Sequence, residues 1–334
     1  MHDKNTFYPT CFFLLFFLFF TPFVTEESSV AAQAEQKKLN YRLKWIFNIG
    51  ASGDIYADAA GYFTAQGLKV NVKEGSPEKN AITELELGRA DFGVASADQV
   101  IRALDKGAQL IVLAQIFQVN PMQWIYRDDQ PKIKTLADLR GRKIGVTFGG
   151  NDETIMRTLL IKAGIKEKEV ELSGVRFDFT PFFRRKVEIW PVYQNSQGVI
   201  LKEKLAQEGE TVRFFNPADF GVNFVANSVV TSKKMLKEQP KIVEKFLTAL
   251  MQGWTAAMNP QEKDNVLAAI KKLDKNTEDA IRKKQLAATR ELVLADSQKI
   301  GAIDVEAWKQ TEAIMLQAGQ IKQAVQIEKY LQVR

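Results

Sequence analysis

Residues 142–193 read RKIGVTFGGNDETIMRTLLIKAGIKEKEVELSGVRFDFTPFFRRKVEIWPVY. The opening RKIGVTFGG has the composition of a strand ending in glycines. NDETIMRTLLIKAG has helical apolar spacing, with Asn151 or Asp152 as N-cap and Gly164 as terminator. VELSGVRFDF reads as extended chain, Thr180-Pro181 as a helix start, FFRRK as a short helix and VEIWPVY as a third strand. The same order stands a hundred residues earlier. LKWIFNI (43–49) reads as a strand, and IYADAAGYFTAQ (55–66) as a helix stopped by Gly67. LKVNVKEG is the next strand, Ser76-Pro77 the next helix start, with the helix running through NAITELEL to Gly88, and ADFGVAS (90–96) closes the set. Glu74 and Asp178 each lie two residues before their cap, Asp91 and Glu188 each open a third strand, and Tyr193 falls level with Ser96. Strands alternating with amphipathic helices predict an α/β fold built as two similar lobes.

The segment IYRDDQPKIKTLADL (125–139) is polar and holds Pro131, as a crossover would. The return falls near FNPADFGVNFVANSVV (215–230), and from Lys233 the pattern is mostly helical. The expected division is therefore a discontinuous lobe one, 40–126 plus 225–334, with lobe two at 127–224. Ligands of open α/β sheets sit beyond the carboxyl ends of the strands, so two such lobes face each other across a cleft that hinged crossovers close.

The first 34 residues stand apart. Cys11–Val24 is almost wholly apolar but short of the roughly 20 residues a membrane helix needs. Ala32-Gln33-Ala34 fits the small-x-small cleavage rule, so residues 1–34 read as a secretory signal peptide, with an uncleaved signal anchor as the alternative. Its removal leaves 45 basic and 37 acidic residues, a net charge of +8. It also takes away Cys11 and His2, the chain's only cysteine and only histidine, and with them any disulfide, thiol nucleophile, His-based triad, His metal site or imidazole base. The lysines are interleaved with acids along amphipathic helices, which reads as solvated surface; export and the lack of a binding motif argue against nucleic acid. No metal and no cofactor is expected, and no catalytic residues.

The candidate solute contacts follow from the lobes. Trp190 and Tyr193 belong at or just past the carboxyl end of a lobe-two strand, with Asn195 beyond. Their lobe-one counterparts are Trp45, Asn48, Glu74, Ser96 and Asp98. Aromatic rings there stack on a flat solute, and amides and carboxylates orient it; the competing reading makes Trp190 a core plug and Tyr193 a loop staple. Asp178 opens a lobe-two loop, and Thr147 and Asn151 offer hydrogen bonds beside Gly149-Gly150. Asp152 and Glu153 occupy the first turn of the helix that follows. They satisfy its dipole themselves, which argues for a neutral or cationic solute over a sulfonate or nitrate.

The stretches LKWIFN…IYADAAGYFTAQGLKVNV, ELGRADFGVASADQVI, LADLRGRKIGV, VRFDFTPFFRRKVEIWPVYQN and FGVNFVANSVVTS together resemble the periplasmic substrate-binding proteins of ABC importers. The likeness is to the branch of thiamine-pyrimidine-precursor binders and the related pyrimidine synthase. It covers nearly all of residues 41–232, with PKIVEKFLTALMQGW fitting the helical remainder. GYF-x-x-x-GL and ELGRAD are shared widely among such binders; F-x-R-x-V-[DE]-x-W-x-x-Y-x-N is more specific. The resemblance implies a type II periplasmic-binding-protein fold, with a hinge and a helical C-terminal extension on lobe one. It implies cleft-lining roles for Trp45, Asn48, Trp190, Tyr193, Asn195 and the Ser96 loop. It also implies a periplasmic monomer that captures a small-molecule solute, pyrimidine- or flavin-like, and delivers it to a membrane permease. The membrane is met only through that permease or an uncleaved anchor. Where such binders often have a histidine after Trp-x-x-Asn, this chain has IGASGD, and the synthase's histidine and cysteine-rich motif are missing. An alkanesulfonate binder and a synthase-like enzyme are the alternatives.

Overall fold

The computed structural model describes residues 6, 8, 9, 38–295 and 299–333. The chain divides into two units, Met1–Glu35 and Gln36–Arg334, and every strand and helix among the described residues belongs to the second. The apolar leader run and its cleavage site lie outside the described residues.

Strand β1 (Lys38–Arg42) pairs in parallel with β2 (Lys69–Lys73) and β3 (Phe92–Ala95). Helices α1 (Ser52–Ala59), α2 (Tyr62–Ala65), α3 (Ala81–Glu86) and α4 (Ala97–Asp105) connect these strands and lead to β4 (Leu110–Gln115). The chain then crosses to a second sheet. There β5 (Met122–Arg127) is followed by β6 (Lys143–Val146), α5 (Asn151–Lys162), β7 (Glu171–Gly174), α6 (Thr180–Phe183), β8 (Trp190–Tyr193), α7 (Gln197–Gln207) and β9 (Val212–Phe215). It returns as β10 (Ser228–Ser232), antiparallel between β3 and β4. Among the described residues, five α-helices follow: α8 (Lys233–Glu238), α9 (Pro240–Met258), α10 (Lys263–Leu273), α11 (Asp279–Val293) and α12 (Val305–Gln317).

The first sheet has the order β2-β1-β3-β10-β4. In the second, β8-β5-β9 is antiparallel about β5, β6 pairs in parallel with β7, and an Ile144–Ile189 bridge ties β6 to the approach to β8. Its order is thus β7-β6-β8-β5-β9, the first sheet's pattern with β5 in the place of β10. The repeat read in the sequence is a repeat of topology, and the two-lobed α/β architecture follows from it. Strand β5 hydrogen-bonds only within the second sheet, so the 126/127 boundary expected from the sequence cuts its last residue.

Several local expectations are corrected. The first strand is 38–42, where burial alternates with Leu39 and Tyr41 inward, and not 43–49. From Leu43 the chain bends away: Phe47 N donates to Glu74 Oε1 at 2.8 Å, Gly75 N donates to Trp45 O at 3.0 Å, and Asn48 caps a 3-10 turn through Gly50 N at 2.7 Å. The 55–66 helix is two helices, parted where Gly61 takes φ 75°. Helix α3 starts at Ala81 under an Asn80 cap, because Ser76 closes a turn of its own with Lys79. Helix α5 is preceded by Gly150, and Asp152 and Glu153 turn back instead to accept from Thr147 N and Gly149 N. Asp91 and Glu188 brace equivalent places, accepting from Asn40 N and from Arg142 Nε at 2.8 and 2.7 Å. The β3 residue that matches Tyr193 at the end of β8 is Ala95, one before Ser96.

Candidate functional site: a cavity between the two sheets

A cavity of about 590 Å³ lies between the carboxyl ends of the two sheets, within the size range of small-molecule sites. Lobe one contributes the bend after β1 and the start of α4; lobe two contributes the β6–α5 turn, residues 175–179 and the end of β8. Because the chain leaves β1 at Leu43, Lys44 and Trp45 stand beyond the sheet instead of within it, which is where ligand-contacting side chains of such sheets belong.

Lys44 is the residue that sequence reasoning missed. Its Nζ crosses the cleft to donate to Asn151 Oδ1 at 2.8 Å and to Tyr193 Oη, and lies 4.8 Å from the Tyr193 ring centroid. Tyr193 Oη in turn donates to Asn227 Oδ1 at 3.2 Å. Trp45 meets Phe177 of the other lobe with ring centroids 4.7 Å apart and planes at 40°. A flat solute sandwiched between two rings needs roughly 7 Å between them, so this pair covers the cavity and does not sandwich a guest. Arg176 and Glu78 form an ion pair across the same mouth.

Of the residues expected to meet a solute, Trp45, Asn48, Asp98, Thr147, Asn151, Trp190 and Tyr193 line the cavity. Trp190 does so as a core residue: it opens β8, is 1% exposed, and packs against Phe179 and Phe182 at 5.9 and 6.0 Å. The other four sit off the wall. Glu74 is exposed and braces the β1 bend. Ser96 forms a capping box with Gln99. Asp178 accepts from Thr180 N at 2.9 Å on the surface. Asn195 is fully buried and donates through Nδ2 to Thr289 Oγ1 of α11 at 2.9 Å. No sequence signal marked Lys44, which lies inside an apparent strand, nor Phe177, which meets Trp45, nor Gln285 of α11, whose Nε2 donates to the Ser196 carbonyl at 3.0 Å.

Two wall carboxylates have shifted acidities. Burial pushes Asp152 up to about 6, against the pull of the Thr147 backbone N–H and the Lys44 charge. Burial pushes Asp54 up to about 7, although hydrogen bonds from Tyr41 and Trp254 oppose it. Asp98 is 1% exposed, and neither of its oxygens has a partner. Among the described residues no His/Cys/Asp/Glu group has the makings of a metal site, and no helix is long and apolar enough to cross a membrane.

The chain is 25% identical over 300 residues to a putative thiamine biosynthesis protein of Haemophilus influenzae, covering 88% of this chain and 91% of that one. It is 25% identical to the riboflavin-binding protein RibY of Chloroflexus aurantiacus, with coverage of 89% and 85%. A 4-amino-5-hydroxymethyl-2-methylpyrimidine phosphate synthase of Legionella pneumophila is 21% identical over 225 residues. Among solved structures, the alkanesulfonate-binding protein SsuA of Xanthomonas axonopodis pv. citri, bound to MOPS, superimposes with a TM-score of 0.68 at 14% identity, covering 89% of this chain and 99% of that one. That likeness fixes the fold as the two-lobed periplasmic-binding-protein type. The family described as NMT1/THI5 like matches residues 48–263, and the chain belongs to it.

Proposed function

We propose that this protein captures a small organic solute between its two lobes outside the cytoplasm and delivers it to the permease of an ABC importer, making and breaking no bond. The observation that carries this reading is the cavity walled from both lobes, with Lys44, Trp45 and Arg176–Glu78 reaching across it. A solute that contacts both walls favours the closed arrangement by its differential affinity for it. The names of the relatives support a flat heterocycle, pyrimidine- or flavin-like. Trp45, Asn48, Thr147, Asn151 and Tyr193 are the residues we assign to solute contact. We divide the lobes at the crossovers 116–121 and 216–227, so that β5 belongs to lobe two.

An enzyme of the synthase kind is the weaker reading, because residues 12–334 hold neither histidine nor cysteine. The sulfonate reading has the wall cations Lys44, Arg102, Lys106 and Arg176 in its favour. Three of these are already engaged, Lys44 by Asn151 and Tyr193, Arg102 by Thr154 and Arg176 by Glu78, and Asp98 and Asp152 stand in the same cavity. Periplasmic residence, a monomeric state and a cleaved leader complete the proposal.

A thermal-shift panel of pyrimidines, flavins, polyamines and sulfonates tests it. A solute at a hundred times its dissociation constant adds about 2.7 kcal/mol, which raises the melting temperature by roughly 2–4 °C. If no class shifts the melting point, the reading fails.

A further inference from the structure

Helix α11 is built into both lobes. Its Leu286 and Val293 are buried in the lobe-one core with side chains of α1, α9 and α10. Its Leu292 carbonyl accepts from Gln118 N at 3.0 Å and Val119 N at 3.3 Å, both in the crossover 116–121. A neighbouring face of the same helix reaches lobe two. There Thr289 Oγ1 accepts from Asn195 Nδ2 at 2.9 Å, Gln285 Nε2 donates to the Ser196 carbonyl at 3.0 Å, and Lys284 pairs with Glu203 of α7 at 2.7 Å. Gln285 lies two helical turns, about 10 Å, from Leu292. Contacts that far from a crossover are disturbed when the lobes swing apart.

The two attachments break unequally. Carrying α11 away with lobe two would expose Leu286 and Val293 to water. Leaving it with lobe one breaks only polar contacts, which water replaces. The polar attachment is also half satisfied. Thr289 Oγ1 donates to the Gln285 carbonyl at 2.8 Å, so Asn195 must be the donor to it, and Gln285 Nε2 faces a carbonyl that can only accept. Asn195 Oδ1 and Gln285 Oε1 are thereby fixed as acceptors, and both are buried without a donor among the described residues. Opening wets them. Two bonds set against two idle oxygens leave the attachment near balance, as a two-state element requires.

We propose that α11 is a clasp beside the hinge. It grips lobe two at Asn195, Ser196 and Glu203 in the closed arrangement and releases them on opening, so it sets the share of empty protein that stands open. This rests on the reading of two lobes that open and close, and adds what governs them when no solute is bound.

Spin labels at Glu78→Cys and Arg176→Cys test it with no solute present. The labels also remove the ion pair between those positions, which would otherwise mask the clasp. On this background, Lys284→Glu sets like charge against Glu203, Lys284→Glu with Glu203→Lys restores an opposite pair, and Thr289→Val leaves Asn195 Nδ2 without its acceptor in the closed arrangement. Lys284→Glu should raise the ratio of long to short mouth distances roughly 2- to 5-fold, and Thr289→Val about 5-fold or more. The exchanged pair should return the ratio to the parent value. The proposal is overturned if the distances stay put while the variants lower the urea midpoint, the pattern of a strut that never lets go. It is equally overturned if the exchanged pair fails to restore the ratio, or if the parent shows only the long distance. None of these results bears on solute capture itself, which the thermal panel decides.

Discussion

The loops that follow β3 and β8 occupy equivalent places in the two lobes, and they are held in opposite ways. After β8, Asn195 donates to Thr289, the Ser196 carbonyl accepts from Gln285 Nε2 at 3.0 Å, and Lys284 pairs with Glu203 at 2.7 Å. The C-terminal extension, through α11, thus fastens the lobe-two loop along the cavity wall, which Ser196 and Gln285 both line. After β3, the loop caps its own helix through Ser96 and Gln99, and leaves Asp98 facing the cavity without a partner. The lobe-two loop is tied to α11 through side chains, although Asn195 Oδ1 and Gln285 Oε1 stay without partners among the described residues. Buried polar groups without partners are few in native proteins, and here Asp98, Asn151 and Gln285 each bring at least one to the cavity wall.

That contrast can be broken from several sides. The largest effect is expected at Trp190: although it lines the cavity, it is a lobe-two core residue, and Trp190→Ala should lower stability by about 3–5 kcal/mol. Trp45→Ala, by contrast, should leave the melting temperature nearly unchanged while removing solute-induced shifts; chemical denaturation and the thermal panel distinguish the two. If Trp190→Ala proved neutral to stability, the ring would be a solute contact and not core.

Acidity gives the next effect. Asp54 holds its proton to about 7 in the folded protein, whereas an unfolded Asp releases it near pH 4. The folded state therefore binds more protons across that range, and stability contributed at low pH is lost as pH rises from about 4 to 7, by on the order of 4 kcal/mol for a fully buried group. Asp152, pushed up to about 6, adds a change of the same sign between about 4 and 6. Asp54→Asn should flatten this dependence and be more stable than wild type at pH 8, as read from urea denaturation at a series of pH values. An unchanged slope would contradict the burial of Asp54.

Smaller effects belong to the fastening of the lobe-two loop. Thr289→Val strands the buried Asn195 Nδ2 and should cost about 1–3 kcal/mol, measured by denaturation. If it cost nothing, α11 would not be what holds that loop. Tyr193→Phe removes the hydroxyl that joins Lys44 to Asn227 and should cost about 1 kcal/mol, together with part of the solute affinity by calorimetry.

Much of the architecture was legible because the repeat leaves marks at both copies: a helix stopped by glycine, and an acid at the third strand that braces the first. Asp91 and Glu188 show that logic working. The shift of the first strand from 43–49 to 38–42 was not legible, because LKWIFNI has strand composition. What removes it from the sheet is Glu74 and Gly75, thirty residues on, where a Cβ on Gly75 would collide with the Leu43 carbonyl oxygen. The cavity wall was half legible for the same reason. Tyr193 follows from its place at a strand end and Asn151 from its place at a helix start, whereas Trp45 reads as lying inside the strand 43–49. Lys44, Phe177 and Gln285 gain their roles only across the cleft or through α11, where sequence spacing carries no information. Asn195 looked like a solute contact since nothing in its neighbourhood revealed Thr289.

The central claim is that the two lobes close on a solute. With no cysteine after Cys11, spin labels at Glu78→Cys and Arg176→Cys report the distance across the mouth directly. The account predicts that the solute which raises the melting temperature narrows that distance distribution to a single short population, broader or longer in the empty protein. A distribution left unchanged by a bound, stabilising solute would contradict it.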